Sequence, residues 1–173
     1  MTVIETLKSY LSTDPGADVR AALRADHERI RELAAQMAEE KTAGRRRALL
    51  AELKPLVTAH ARAEEQVVYG AMLELRGAKE AHDLGNEGFV EHSLTDVLLE
   101  RLAKTDLAGT DAWKAHATVL KEMLEHHIDE EEDAFFDALG ERFDAAELEA
   151  MAIAFERTKA ALDGGAEGQR RRR

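Results

Sequence analysis

The sequence predicts an all-α fold: an antiparallel up-and-down four-helix bundle, with a short N-terminal helix and a C-terminal helix packed on it. Three observations predict it. Only Pro15 and Pro55 interrupt the 173 residues, so long helices are allowed nearly everywhere. Ala, Leu, Glu, Arg and Lys dominate the chain, and all are strong helix formers. Apolar residues recur every three to four positions, and no window alternates with the period of two of a half-buried strand.

The short helix is predicted over about residues 2–12, and Thr13-Asp14-Pro15-Gly16 breaks it. The first long helix follows over about 17–41, with Leu23, His27, Ile30, Ala34 and Met37 on one face. Gly44 marks the turn. The second runs over about 45–76 and aligns Leu49, Leu53, Val57, His60, Glu64, Val67 and Ala71, with Pro55 bending it or shifting its start. After Gly77, the third covers about 79–104, with an interruption expected near Gly85 and Gly88, and presents Phe89, His92, Leu99 and Leu102. Beyond the loop 105–110, the fourth spans about 111–139 and aligns Trp113, Leu120, Leu124, His127, Glu131 and Ala138. Gly140 ends it. A last helix over about 144–162 offers Leu148, Met151, Ala152 and Phe155 to the bundle. The chain reads as one domain over 1–163, with its core at about 17–140, and a flexible Arg-rich tail over 164–173.

Composition narrows the chemistry. There are 24 Lys and Arg against 35 Asp and Glu, a net charge of −11, so nucleic acid is a poor bulk partner. No apolar run is long enough to span a membrane, the N-terminus lacks the features of a secretion signal, and a cytoplasmic location is expected. The absence of cysteine excludes a disulfide framework, a thiolate metal site and a cysteine nucleophile. Any metal must be held by nitrogen and oxygen, which seven histidines and many carboxylates can supply.

Spacing selects four of those histidines. His27, His60, His92 and His127 fall one on each long helix, 33, 32 and 35 residues apart. The midpoints between neighbours are 43.5, 76 and 109.5, beside Gly44, Gly77 and Gly109. In an antiparallel pair, residues equidistant from the turn share a height, so all four histidines are expected in one layer of the core. Glu64 follows His60 by four residues and Glu131 follows His127 by four, placing each pair on one helix face. Two inward carboxylates make sense when cations lie between them. The two halves echo each other, because His60-Ala-Arg-Ala-Glu64-Glu65 and His127-Ile-Asp-Glu-Glu131-Glu132 both read H-x-x-x-E-E and are followed by Tyr69 and Phe136.

Six N/O ligands exceed one tetrahedral zinc site and suit two octahedral irons or manganeses bridged by carboxylates. No Glu stands three residues before any histidine, which counts against a ferritin-like centre, and the H-E-x-x-H motif is absent.

These residues resemble the hemerythrin-like HHE cation-binding family. The likeness covers about residues 20–160. It rests on Asp26-His27-Glu28, on 60–65, on Glu91-His92, on 126–132 and on the closing helix. The resemblance implies a hemerythrin-like bundle around a non-haem di-iron centre, with two Fe ions bridged by oxo or hydroxo groups and carboxylates, and Mn or Zn as substitutes. His27, His60, Glu64, His92, His127 and Glu131 match its metal ligands, the two glutamates as bridges. Oxygen-carrying hemerythrins have a second histidine four residues away on the third helix. Here Gly88 and Asp96 flank His92 at that spacing. Either a coordination position is open or Asp96 takes a place there. Family members that repair iron–sulfur clusters carry a cysteine that this chain lacks.

The remaining candidates read more plainly. His126 belongs on the outer face or beside the ligands, and His82 is expected to be exposed. His116 is about 16 Å along the axis from His127 and too distant to be a ligand. Tyr69 and Phe136 are expected as core walls, Tyr69 with the option of a hydrogen bond to a bridging oxygen. Glu65, Glu130 and Glu132 read as solvated charges, Glu130 as a substitute ligand if the register shifts. Three functions fit: binding or sensing of O2 or NO, peroxidase- or catalase-like turnover of hydrogen peroxide, and iron buffering without turnover. A monomer or weak dimer with a small-molecule partner is expected.

Overall fold

The computed structural model describes residues 18–75, 79–104 and 108–170, and every element in them is helical. The helix expected over 2–12 lies outside the described residues, as does Gly77. Helix α1 (Val19–Glu39) starts where the Asp18 carboxylate accepts the Arg20 N–H at 2.9 Å, an N-cap that satisfies a free backbone donor. Its periodic residues Leu23, His27, Ile30, Ala34 and Met37 are all buried. Helix α2 (Ala43–Glu64) carries Pro55 within it. After the short α3 (Gly70–Glu74) come α4 (Lys79–Leu102) and α5 (Asp111–Glu130), the latter capped by the Thr110 hydroxyl on the Trp113 N–H. Helix α6 (Phe136–Arg142) and α7 (Ala145–Arg170) complete the chain. At the start of α7, Asp144 and Glu147 cap each other's backbone N–H groups, both at 2.9 Å.

The four long helices close a ring. Helix α1 packs on α2 and α5, and α4 packs on α5 and α2. Helix α7 lies over α1 and α2. The result is a helical bundle with one added helix on one side. Among the described residues, no helix is long and apolar enough to cross a membrane.

Two boundaries differ from the sequence reading for one physical reason. The second and fourth long helices are each interrupted by a π-turn, Glu65–Tyr69 after α2 and Glu131–Phe135 after α5. A π-turn adds a residue to the helical ladder and rotates everything after it. Val67 and Ala71, expected inward, are therefore only half-buried, while Val68, Tyr69 and Met72 are buried. Likewise Ala138 gives its core place to Leu139. Periodicity of 3.6 carries no sign of such an insertion.

The glycines also act differently from expected. Gly85 and Gly88 do not break α4; Gly88 lets the Tyr69 ring lie against the backbone, where an added Cβ would stand 2.5 Å from the phenol oxygen. Gly140 lies inside α6, and Gly164 and Gly165 lie inside α7. A helical glycine costs only about 1 kcal/mol relative to alanine, so packing and capping can override it.

The apolar core is divided in two. One cluster holds Ile30, Leu53, Val57, Leu99, Trp113 and Leu124 among others, and the second holds Leu23, Ala63, Tyr69, Phe135, Phe136 and Phe155. Along each long helix a histidine stands where one cluster gives way to the other. A polar layer thus crosses the bundle between two hydrophobic halves.

Candidate metal centre

That layer is built from His27 on α1, His60 and Glu64 on α2, His92 on α4, His127 near the end of α5, and Glu131 at the start of the π-turn that follows it. All six are buried. The levelling expected from the glycine midpoints is therefore seen in space. The His27 and His60 rings are 5.0 Å apart and the His92 and His127 rings 4.9 Å apart. Glu131 Oε2 lies 3.3 Å from His27 Nε2 and 3.5 Å from His127 Nε2. Glu64 Oε2 lies 3.4 Å from His60 Nε2 and 3.6 Å from His92 Nε2. Each glutamate thus reaches both histidine pairs, as a bridging carboxylate must.

Whether a cation fits can be judged from the polar atoms left over. His27 Nε2, both oxygens of Glu64 and Glu131 Oε2 are buried without a hydrogen-bond partner. Buried polar groups are nearly always paired, and an unpaired carboxylate is the costliest exception. His92 Nε2 and His127 Nε2 stand 3.1 Å apart, a separation that needs a shared proton or a positive charge nearby. The donor set is N/O only, and its atoms form two groups within ligand range. One is His27, His60, Glu64 and Glu131; the other is Glu64, His92 and His127. The residues fit a pair of divalent cations.

The other ring nitrogen of each histidine is held by a carboxylate that the sequence reading missed. His27 Nδ1 meets Glu132 at 3.0 Å, and His60 Nδ1 meets Asp26 at 3.1 Å. His92 Nδ1 meets Glu65 at 3.1 Å, and His127 Nδ1 meets Glu91 at 2.6 Å. Such bonds fix the imidazole tautomer with a proton on Nδ1 and leave Nε2 as the ligand atom. Glu65 and Glu132 are therefore not solvated charges. The pattern is two-fold: the acid before the histidine on α1 or α4 serves the histidine of the next long helix, and the second Glu of each H-x-x-x-E-E serves α4 or α1. The repeat was the signal that could have found them.

The electrostatics match. Burial opposes a charge on His60, but the Glu64 charge and the Asp26 hydrogen bond outweigh it and raise its pKa to about 10. Burial likewise opposes His127, while Glu131 and Glu91 raise it to about 9. Burial pushes the Glu131 carboxyl up, and His127 and His27 together hold it well below the carboxylate range.

Outside the layer, the Lys159 ammonium of α7 pairs with Asp26 at 2.6 Å, and Phe155 packs edge-on to His60 with ring centres 5.6 Å apart. Phe136 stacks on His27 and Tyr69 on His92, so both are core walls as expected. The Tyr69 hydroxyl donates to Glu131 Oε1. Burial and the Glu131 charge raise the phenol pKa well above its usual value. Asp96 does not join the layer; it pairs with Arg62 and is half exposed. The place four residues before His92 belongs to Gly88 and the Tyr69 ring. His116 bonds the Ala112 carbonyl on its own helix, and His126 is exposed beside Glu130. His82 is half-buried, tied to the Leu75 carbonyl at 2.8 Å, rather than exposed.

A cavity of about 20 Å³, room for one water-sized molecule, reaches Tyr69, His127 and Glu131 from the gap between α4 and α5. The family model described as Hemerythrin HHE cation binding domain matches residues 18–139. No curated protein and no solved structure matches the chain.

Proposed function

The chain belongs to the hemerythrin HHE cation-binding domain family, and from that premise we propose that it is a non-haem di-iron protein that binds O2 or a related small oxidant such as NO. In this reading His27 and His60 hold one iron, His92 and His127 hold the other, and Glu64 and Glu131 bridge them. Bound there, the iron pair supplies redox chemistry and open coordination positions. The observation that carries the reading is the set of buried, unpartnered Nε2 and carboxylate atoms at the junction of two apolar clusters.

The chain's own residues supply the rest. Asp26, Glu65, Glu91 and Glu132 orient the four rings. Phe135, Phe136 and Phe155 keep the layer dry from one side. The cavity beside Tyr69 and His127 gives a water-sized molecule a place against the layer. The proposal takes the protein as cytoplasmic and monomeric or weakly dimeric, without a nucleic-acid partner.

A second reading, turnover of hydrogen peroxide, is favoured by Tyr69. Its hydroxyl donates to Glu131 Oε1, and the residue lines the cavity beside that carboxylate. Disproportionation of two peroxides to two waters and O2 needs a group that gives and regains a proton there. Stopped-flow mixing of the reduced protein with O2, then with peroxide, separates the readings. A reversible oxygenated spectrum supports binding. Catalytic O2 release from peroxide supports turnover. Neither signal leaves an iron buffer and overturns both.

A further inference from the structure

The six proposed ligands are arranged with two-fold regularity, but their surroundings are not. On one half, Asp26 holds His60 and is itself neutralised by Lys159, with Phe155 beside the ring. On the other half, Glu91 holds His127 in the matching way. Among the described residues, no Lys or Arg lies within ion-pair distance of Glu91. Instead, one ligand atom each from Glu91, His126 and Glu130 lie within 4.8 Å of one another. His126 is exposed and Glu130 nearly half exposed, so this group faces solvent.

The same half contains the way in. Glu91 and Glu130 line the cavity whose inner wall is His127, Tyr69 and Glu131. Glu131 is buried, and its Oε2 has no hydrogen-bond partner. Beside the cavity, sharing Leu84 and Glu87 with it, lies a groove of about 430 Å³ lined by Glu80, Asp83, Glu87, Asp137 and Glu141. Lys79 offsets Asp83 at its edge, and the remaining carboxylates outnumber the cations. A groove of one sign concentrates the opposite charge and speeds its arrival.

We propose that Glu91, His126 and Glu130 form a third, transient site for a divalent cation, which receives ferrous ion from the acidic groove and passes it to the buried centre. The cation occupies on this half the role that the Lys159 ammonium occupies on the other, a positive charge against the carboxylate that orients a ligand histidine. One nitrogen and two oxygens at a solvent-facing position suit weak binding of a hydrated divalent ion, which is what a loading site requires. This proposal rests on the di-iron reading above. It also makes a statement of its own: loading is one-sided, through the gap between α4 and α5, and not beneath α7.

The test uses the metal-free protein mixed anaerobically with a slight excess of ferrous ion over two per chain, with a coloured ferrous chelator reporting what remains free. The variant pair is His126→Ala with Glu130→Gln, both at exposed positions. Wild type is expected to take up two ions, and the double variant to reach the same two at a rate about tenfold lower, with the difference shrinking in high salt. With the centre first filled by zinc, Mn(II) titrated by electron paramagnetic resonance should show one further weak site in wild type and none in the variant. Loading of the variant at the wild-type rate overturns the proposal, whatever the manganese titration gives. So does absence of that one manganese site in wild type. If wild type fails to take up two ions at all, the di-iron reading itself fails, so the two failures are told apart by final stoichiometry.

Discussion

Each buried histidine of this protein is held at Nδ1 by a carboxylate and turns Nε2 into the layer, and that division sets what single substitutions should do. Asp26→Asn or Glu132→Gln keeps the shape of the side chain and removes the charge that holds Nδ1. Loss of such a partner costs about 10–100-fold in metal affinity. Competition with a chelator of known affinity should show a drop of this size with an unchanged helical spectrum. Tyr69→Phe removes the hydrogen bond donated to Glu131 Oε1. A buried acceptor left without its donor costs about 1–3 kcal/mol. The variant should therefore melt earlier when metal-free, and under the peroxide reading should turn over slowly while still holding two ions. Gly88→Ala places a methyl group where the Tyr69 ring lies, and overpacking of this kind costs about 1–3 kcal/mol. It should lower the thermal midpoint in wild type and do so much less in a Tyr69→Ala background.

Among the elements, the two π-turns have most influence on the site. They follow Glu64 and begin at Glu131, and they bring Tyr69 and Phe135 to the layer. Inserting an alanine after Gln66 adds a second residue to the turn and should rotate Val68, Tyr69 and Met72 away from the core. Burying the wrong face forfeits at least the value of one large core side chain, about 3 kcal/mol. Urea denaturation should show that loss, and an insertion of no consequence would mean the turn does not set the register. This is also where sequence reading ran out. Long helices, their inward histidines and the levelling of those histidines were legible because 3.6 periodicity and evenly spaced breaks report them directly, although Gly44 itself lies inside α2 and the turn precedes it. The π-turns were not, since they leave the local pattern unchanged. Nor was the orienting role of Glu65 or Glu132 legible, because it depends on contacts up to 105 residues away along the chain.

The whole molecule is a bundle whose two apolar halves are joined through a charged layer, so its stability should follow the state of that layer. In the metal-free protein the pKa of His60 is raised to about 10 and that of His127 to about 9. Groups raised in this way give their full stabilisation below the unfolded value of about 6.5 and lose it as pH climbs through 9 to 10. The Glu131 carboxyl is shifted down, so its contribution is present above its unfolded value and lost as pH falls into the acid range. Thermal midpoints of the metal-free protein should therefore peak at mildly acid pH and decline towards pH 9. Metal replaces the ring protons, so the gain in midpoint on loading should widen over the same range. A flat profile would mean that the layer is not protonated as the geometry requires. The most direct measurement is metal content by plasma emission after anaerobic loading with ferrous ion and desalting, on wild type, Glu64→Ala and Glu131→Ala. Two irons per chain are expected in wild type and one or none in each variant; two irons retained in both variants would contradict the bridged pair on which the account is built.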